Sequence, residues 1–216
     1  MYFYMFLLFI YITTNLKEIE EENMLKTNIK IFFKDYLLVA NFISNLFYSI
    51  AYPTVHLTLM KHINERTISF NAIVVCLAGI IVPVIWNKKS DALYKKYGYF
   101  LIIEGVLYSL LTITFIIGTI DSTLYYLIDT LLFAIIAKNT MCGGNRLRAS
   151  KYKGKDREKF DNNSNIFSNV SSLIGFTASL LITIPTNVAF IILGIGVVSD
   201  NIFYYKAYME CVSQDN

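Results

Sequence analysis

Cysteine, histidine, tryptophan and charge are all scarce in this chain, and each scarcity removes a class of chemistry. Among 216 residues there are three cysteines, two histidines and one tryptophan. Cys76, Cys142 and Cys211 are scattered, odd in number and free of CxxC or metal-ligand spacing. Neither a disulfide framework nor a metal site is expected from them. His56 and His62 lack the companions that an H-E-x-x-H helix or a catalytic triad requires. No enzyme and no cofactor is expected, and no nucleic-acid partner. Charged residues make up only 16% of the chain against 55% hydrophobic, which is not the balance of a soluble domain.

What remains is apolar and aromatic. Sixteen Tyr and sixteen Phe suit lipid-facing and interfacial surface. The charges gather in a few clusters, leaving apolar stretches that approach the ~20 residues needed to cross a bilayer. The expected fold class is an all-α membrane protein with the lipid bilayer as its first partner.

Residues 1–12, MYFYMFLLFIYI, are apolar but too short to span. They lack the cationic leader and small-residue cleavage site of a signal peptide. Met24 opens a second start, MLKTNIKIFFKDYLL. Residues 1–23 are therefore read as an N-terminal extension, either upstream of a true start at Met24 or a short interfacial segment. A six-helix domain is expected over 24–210 and a cytoplasmic tail over 211–216. The spans are placed at about 35–57, 68–87, 99–119, 122–141, 163–184 and 187–206.

Connector charges alternate. Lys26, Lys30 and Lys34 precede the first span, and Lys88, Lys89, Lys95 and Lys96 follow the second. Arg146, Arg148, Lys151, Lys153, Lys155, Arg157 and Lys159 form a basic loop after the fourth, and Lys206 closes the sixth. The other connectors hold Lys61 and Arg66, then Asp121, then none. The positive-inside rule puts both termini in the cytoplasm of a multi-pass protein of the cell membrane.

Polar residues inside the spans are the candidate site. Asn41, Asn45, Tyr48 and Tyr52 recur at i, i+4, i+7 and i+11, on one helical face. That face either lines a solute pathway or forms a hydrogen-bonded seam between helices. Glu104 shares a face with Tyr108 and Thr112, near enough to the cytoplasmic end to pair with lysines there. Asp129 lies seven residues into the fourth span among apolar neighbours. An ionisable group at that depth is read as a functional candidate, here for proton coupling, with a structural hydrogen bond as the alternative. Lys138 is half a helical revolution out of phase with Asp129 and snorkels instead. In the fifth span Ser164, Ser168, Ser171, Gly175 and Ser179 form a small-residue ridge for close packing. Gly194 and Gly196 read likewise as packing points, and Asp200 as a partner of the basic loops.

The segment 87-NKKSDALYKKYG-98 gives the layout a family likeness. Pro83, Asn87 and Asp91 stand at spacings of four, followed by Lys95, Lys96 and Gly98. With six spans and a basic loop after the fourth, the chain resembles the N-terminal half of a major facilitator superfamily transporter. That family carries Gly-x-x-x-Asp-[Arg/Lys]-x-Gly-[Arg/Lys] between its second and third helices. Here Asn87 replaces the first glycine, three residues are inserted after Asp91, and Tyr99 replaces the last cation. The resemblance implies a six-helix half bundle and a permease of a small solute working by alternating access, with proton coupling as one option. It implies that the acid pairs with neighbouring helix ends while the cations hold the cytoplasmic side closed. A half-length chain implies a homodimer or a separate second half. A non-transporting membrane module, an inactive fragment and a six-span capture subunit of an importer are the alternatives.

Overall fold

A computed structural model describes residues 34–214. The chain divides into two units, Met1–Asp35 and Tyr36–Asn216, and the second is the helical body. The expected extension over 1–23, the start at Met24, and Lys26 and Lys30 lie outside the described residues.

The described residues form helices and turns without strands. Six long helices follow one another: α1 Tyr36–Met60, α2 Glu65–Tyr94, α3 Tyr97–Ile116, α4 Ser122–Lys151, α5 Lys155–Leu181 and α6 Thr186–Gln214. A π-helical stretch, Phe133–Ala137, interrupts α4. The punctuation is chemical. Asn64 caps α2 by accepting from Thr67 N–H at 2.9 Å, and Asp121 caps α4 by accepting from Leu124 N–H at 2.7 Å. Asp121, the one charge in its connector, is thus a helix cap. Gly118 and Gly154, at φ +74° and +53°, make the left-handed turns after α3 and before α5.

Four helices, α2, α3, α4 and α6, are long and apolar enough to cross a membrane. Their outward faces are apolar as well: Ile73, Leu77, Ile80, Ile81 and Val84 all stand exposed along α2. An apolar surface that continuous suits lipid or a protein partner rather than water. The remaining two, α1 and α5, carry more polar residues. All six expected segments coincide with helices.

Two connectors are shorter than expected. The segment 87–98 is not a loop: α2 continues through Asn87 and Asp91 to Tyr94, with a break at Lys89 (φ −128°, ψ 29°), and α3 starts at Tyr97. Only Lys95 and Lys96 remain as a turn, held by Tyr208 Oη donating to Lys95 O at 3.2 Å. The basic loop 146–159 is mostly helix too, since Arg146, Arg148 and Lys151 ride on the last turns of α4 and Lys155 opens α5. Polar, charged sequence continues a helix past the apolar boundary when caps and breakers come later. The tail expected at 211–216 is helical as far as Gln214.

α1 packs against α5 and α6, α3 against α6 and α4, and α2 against α4. Small residues set the close approaches. A Cβ on Gly175 of α5 would stand 2.7 Å from Ser49 Cβ and 2.8 Å from Leu46 O on α1. On Gly196 of α6 it would meet Phe47 at 2.8 Å, and on Gly194 it would meet Thr112 Oγ1 at 2.9 Å. These are the small-residue contacts that let membrane helices associate without a hydrophobic drive between them. At the end of the body where α1 finishes, Phe115, Tyr125 and Phe190 pack ring to ring at 4.2–5.0 Å over Ala51, Val55 and Leu111. The polar side chains collect toward the middle and the opposite end.

Candidate functional site

The four-residue face of α1 divides. Asn41 Nδ2 donates to Ser164 Oγ at 2.7 Å, and Asn45 Nδ2 donates to Ser168 Oγ at 2.9 Å. Tyr204 of α6 adds a hydrogen bond to Asn41 Oδ1 at 3.2 Å. Both amides therefore sit in the α1–α5 seam, the structural one of the two readings. Tyr48 and Tyr52 stay open, at 46% and 36% exposure. Their rings stack on one another at 4.8 Å, and Tyr52 stacks on His56 at 5.1 Å. Helix crossing explains the division. α5 meets α1 at Asn41 and Asn45 low down, but at Leu46, Ser49 and Ile50 where Gly175 passes. At about 100° per residue Ser49 is turned about 40° from Asn45, and Leu46 and Ile50 more than about 90°, all to the side away from Tyr48 and Tyr52, so α5 leaves the tyrosine face uncovered.

Asp129 stands beside this open ledge. Its carboxylate has the Tyr108 hydroxyl of α3 as its polar neighbour and lies within electrostatic reach of Tyr48. Four residues on, the π-helical stretch begins, a distortion that often accompanies functional positions in helices. One residue past Asp129, Thr130 Oγ1 accepts from buried Asn71 of α2 at 2.7 Å, anchoring that part of α4. Lys138 does not meet Asp129; its ammonium lies over the Phe133 ring at 5.1 Å.

Glu104 is buried, and among the described residues no ion pair joins it to the lysines of the α2–α3 turn. Its neighbours are Thr140 of α4 and Asn201 of α6. With the Asn201 amide oriented to satisfy both ends, its NH₂ donates to Glu104 Oε2 at 3.3 Å and its oxygen accepts from Gly105 N–H at 3.2 Å. Asp200, next in chain, brings a second carboxyl within electrostatic reach of Glu104 and of Arg148. Tyr97 completes this group: its side chain is fully buried and its hydroxyl has no hydrogen-bond partner. The ring lies flat where a Cβ on Gly143 would fall, so only glycine fits there.

Of the residues in the 87–98 segment, Asp91 is ion-paired with Arg146 of α4, which also donates to Ser90. The guanidinium stands 5.1 Å from the Tyr94 ring centre. Asn87 is an exposed helical position, Lys95 and Lys96 form the turn, and Gly98 admits the Tyr205 and Tyr208 rings.

No protein-family model, curated protein or solved structure matches this chain. The geometry alone carries the reading. It adds Tyr97, Thr140, Arg146, Arg148 and Asn201 to the residues the sequence singled out. Arg146 and Arg148 were read as loop cations, and their helical placement gives them partners. Asn201, beside Asp200 in an apolar stretch, was the one legible signal for the Glu104 group.

Between α3 and α6 an open groove of about 590 Å³ runs along Leu101, Gly105, Ser109, Val198, Asn201 and Lys206. Its wall is aliphatic, and the Lys206 ammonium lies instead over the Tyr36 and Phe203 rings at 5.6 Å.

Proposed function

We propose that the chain is one six-helix half of a solute permease of the major facilitator type, seated in the cell membrane with both ends in the cytoplasm. The observation that carries this is the packing order. Exchanging α1, α2, α3 for α4, α5, α6 maps the main contacts onto one another: α1–α5 becomes α4–α2, α1–α6 becomes α4–α3, and α3–α6 is unchanged, while the smaller α4–α6 contact has no comparable α1–α3 counterpart. With three bilayer crossings in each repeat, that exchange fits the nested three-plus-three inverted repeat of each half of these transporters. The two less apolar helices also belong in the bilayer on this reading, because the Asn41–Ser164 and Asn45–Ser168 bonds satisfy their polar groups. Orientation follows from Lys88, Lys89, Lys95, Lys96, Arg146 and Arg148 at one end against Lys61 and Arg66 at the other.

In this reading the Tyr48–Tyr52–His56 ledge and Asp129 form half of a solute site, and a second copy or a separate half supplies the facing wall. A carboxylate among aromatic rings favours neutral polar or cationic solutes over anions. The Asp91–Arg146 pair, with the lysine turn beside it, latches the cytoplasmic side.

The test is uptake into proteoliposomes of labelled neutral and cationic solutes under an imposed proton gradient. Gradient-driven uptake by wild type that is lost in Asp129→Asn supports the reading. Uptake that stays coupled in Asp129→Asn removes Asp129 from the coupling role. A wild type that never exceeds empty vesicles argues against transport by this chain.

A further inference from the structure

The group around Glu104 plays no part in the proposed solute site, yet it holds the most constrained polar chemistry in the body. Glu104 and Tyr97 come from α3, Thr140 and Arg148 from α4, and Asp200, Asn201 and Tyr204 from α6. From α1 comes only the amide of Asn41, through Tyr204. The formal charges are two carboxylates and one guanidinium, a remainder of one negative charge.

Arg148 does not close that balance by contact. Its N–H groups go to Asn145 Oδ1 at 2.7 Å and Gly144 O at 3.4 Å. Among the described residues no ion pair joins it to either carboxyl. An uncompensated carboxylate inside an apolar helical body is held at a large desolvation penalty.

Tyr97 is an independent sign at the same place. Its hydroxyl is wholly buried, without a partner, and has Asp200, Glu104 and Tyr204 as its electrostatic neighbours. A Cβ on Gly144 would stand 3.2 Å from that oxygen and 3.1 Å from the Tyr204 ring, so the phenol points inward between α4 and α6. An orphaned buried hydroxyl in a group of oxygens calls for a further ligand. Around Glu104 the neighbouring groups are oxygens and an amide: the Asp200 carboxyl, the Thr140 hydroxyl and the Asn201 side chain. Oxygen donors of this kind suit a hard cation, and the single negative charge left over makes it a monovalent one.

We propose that Glu104, Asp200, Asn201 and Tyr97 form a site for one exchangeable monovalent cation, sodium or a proton. It supplies the single positive charge the group lacks and gives the Tyr97 oxygen a partner. The site goes beyond the solute ledge and is read by binding, so it stands or falls whether or not the chain moves a solute.

The experiment is thermal unfolding of the full chain in detergent, at constant ionic strength, in sodium chloride or choline chloride across a pH series. If sodium is the cation, the midpoint rises saturably with sodium at alkaline pH. If a proton is the cation, the midpoint falls as pH rises, with or without sodium. Either dependence must be lost in Glu104→Gln and Asp200→Asn and weakened in Tyr97→Phe. Wild type and the two carboxyl variants sharing one sodium and pH dependence would overturn the proposal.

A second measurement needs no variant. Dicyclohexylcarbodiimide labelling of the wild-type protein, mapped by peptide mass spectrometry, should modify Glu104 or Asp200. Sodium or alkaline pH should suppress that labelling. Labelling of neither residue under any condition, or labelling indifferent to both cations, contradicts the site.

Discussion

Asp91, near the end of α2, is ion-paired with Arg146, near the end of α4, across 55 residues of chain. The Asp91 side chain is 85% exposed, so the pair lies at the surface and contributes little to stability. Its value is positional: it fixes one helix end against another beside the turn at Lys95 and Lys96.

The first prediction concerns that pair. Asp91→Asn leaves membrane insertion and orientation unchanged, because aspartates weigh little in topology. It lowers stability by no more than about 1 kcal/mol, the range of exposed ion pairs. Differential scanning fluorimetry checks the stability, and a conformational probe at the α2–α3 turn checks the latch. A latch shifts its conformational populations in the variant; a plain connector shows none.

Gly143 and Gly79 should behave oppositely. A methyl group on Gly143 falls within the Tyr97 ring, whereas one on Gly79 meets nothing within 4 Å. Gly143→Ala costs about 1–3 kcal/mol as an overpacking change, and Gly79→Ala is neutral or slightly stabilising. Adding Tyr97→Ala to Gly143→Ala should recover part of the loss. Unfolding midpoints in detergent decide it.

The α1–α5 seam is open to a double-mutant cycle. Asn45→Ala, Ser168→Ala and the pair should report a coupling on the order of 1 kcal/mol, as interhelical hydrogen bonds in membranes do. Additive losses would mean that the 2.9 Å bond contributes nothing of its own.

Native Cys76 offers a direct look at α2. It is exposed on a helix apolar enough to cross a membrane. In intact membranes it should react with a lipophilic maleimide and resist a charged thiosulfonate reagent. Rapid labelling by the charged reagent would place that face of α2 in water.

Much of the helical layout was legible because apolar runs and connector charges alternate along the chain. Segment ends were less legible. Asn87 to Tyr94 and Arg146 to Lys151 look like loop sequence, but no Pro or Gly intervenes, so α2, with a break at Lys89, and α4 run on past their apolar stretches. The α1 face shows a different limit. Asn41, Asn45, Tyr48 and Tyr52 do share a phase, as the spacing requires. Which of them a neighbour covers depends on the crossing of α5, and that crossing is set by Gly175 against Ser49, far away in sequence. The Glu104 group was hidden for the same reason, since its members come from three helices and only Asp200 and Asn201 adjoin.

The central claim is that Tyr48, Tyr52 and Asp129 face a solute cavity rather than lipid. Its most direct measurement is cysteine accessibility in a background lacking Cys76, Cys142 and Cys211. Single cysteines replace Tyr48 and Tyr52, with Leu77 as the lipid-facing control, and a membrane-impermeant thiol reagent is applied from each side. The account predicts that the positions of Tyr48 and Tyr52 react from both sides, in proportions that shift with Asp91→Asn, while that of Leu77 stays unreactive. Tyr48 and Tyr52 positions as unreactive as that of Leu77 would contradict it.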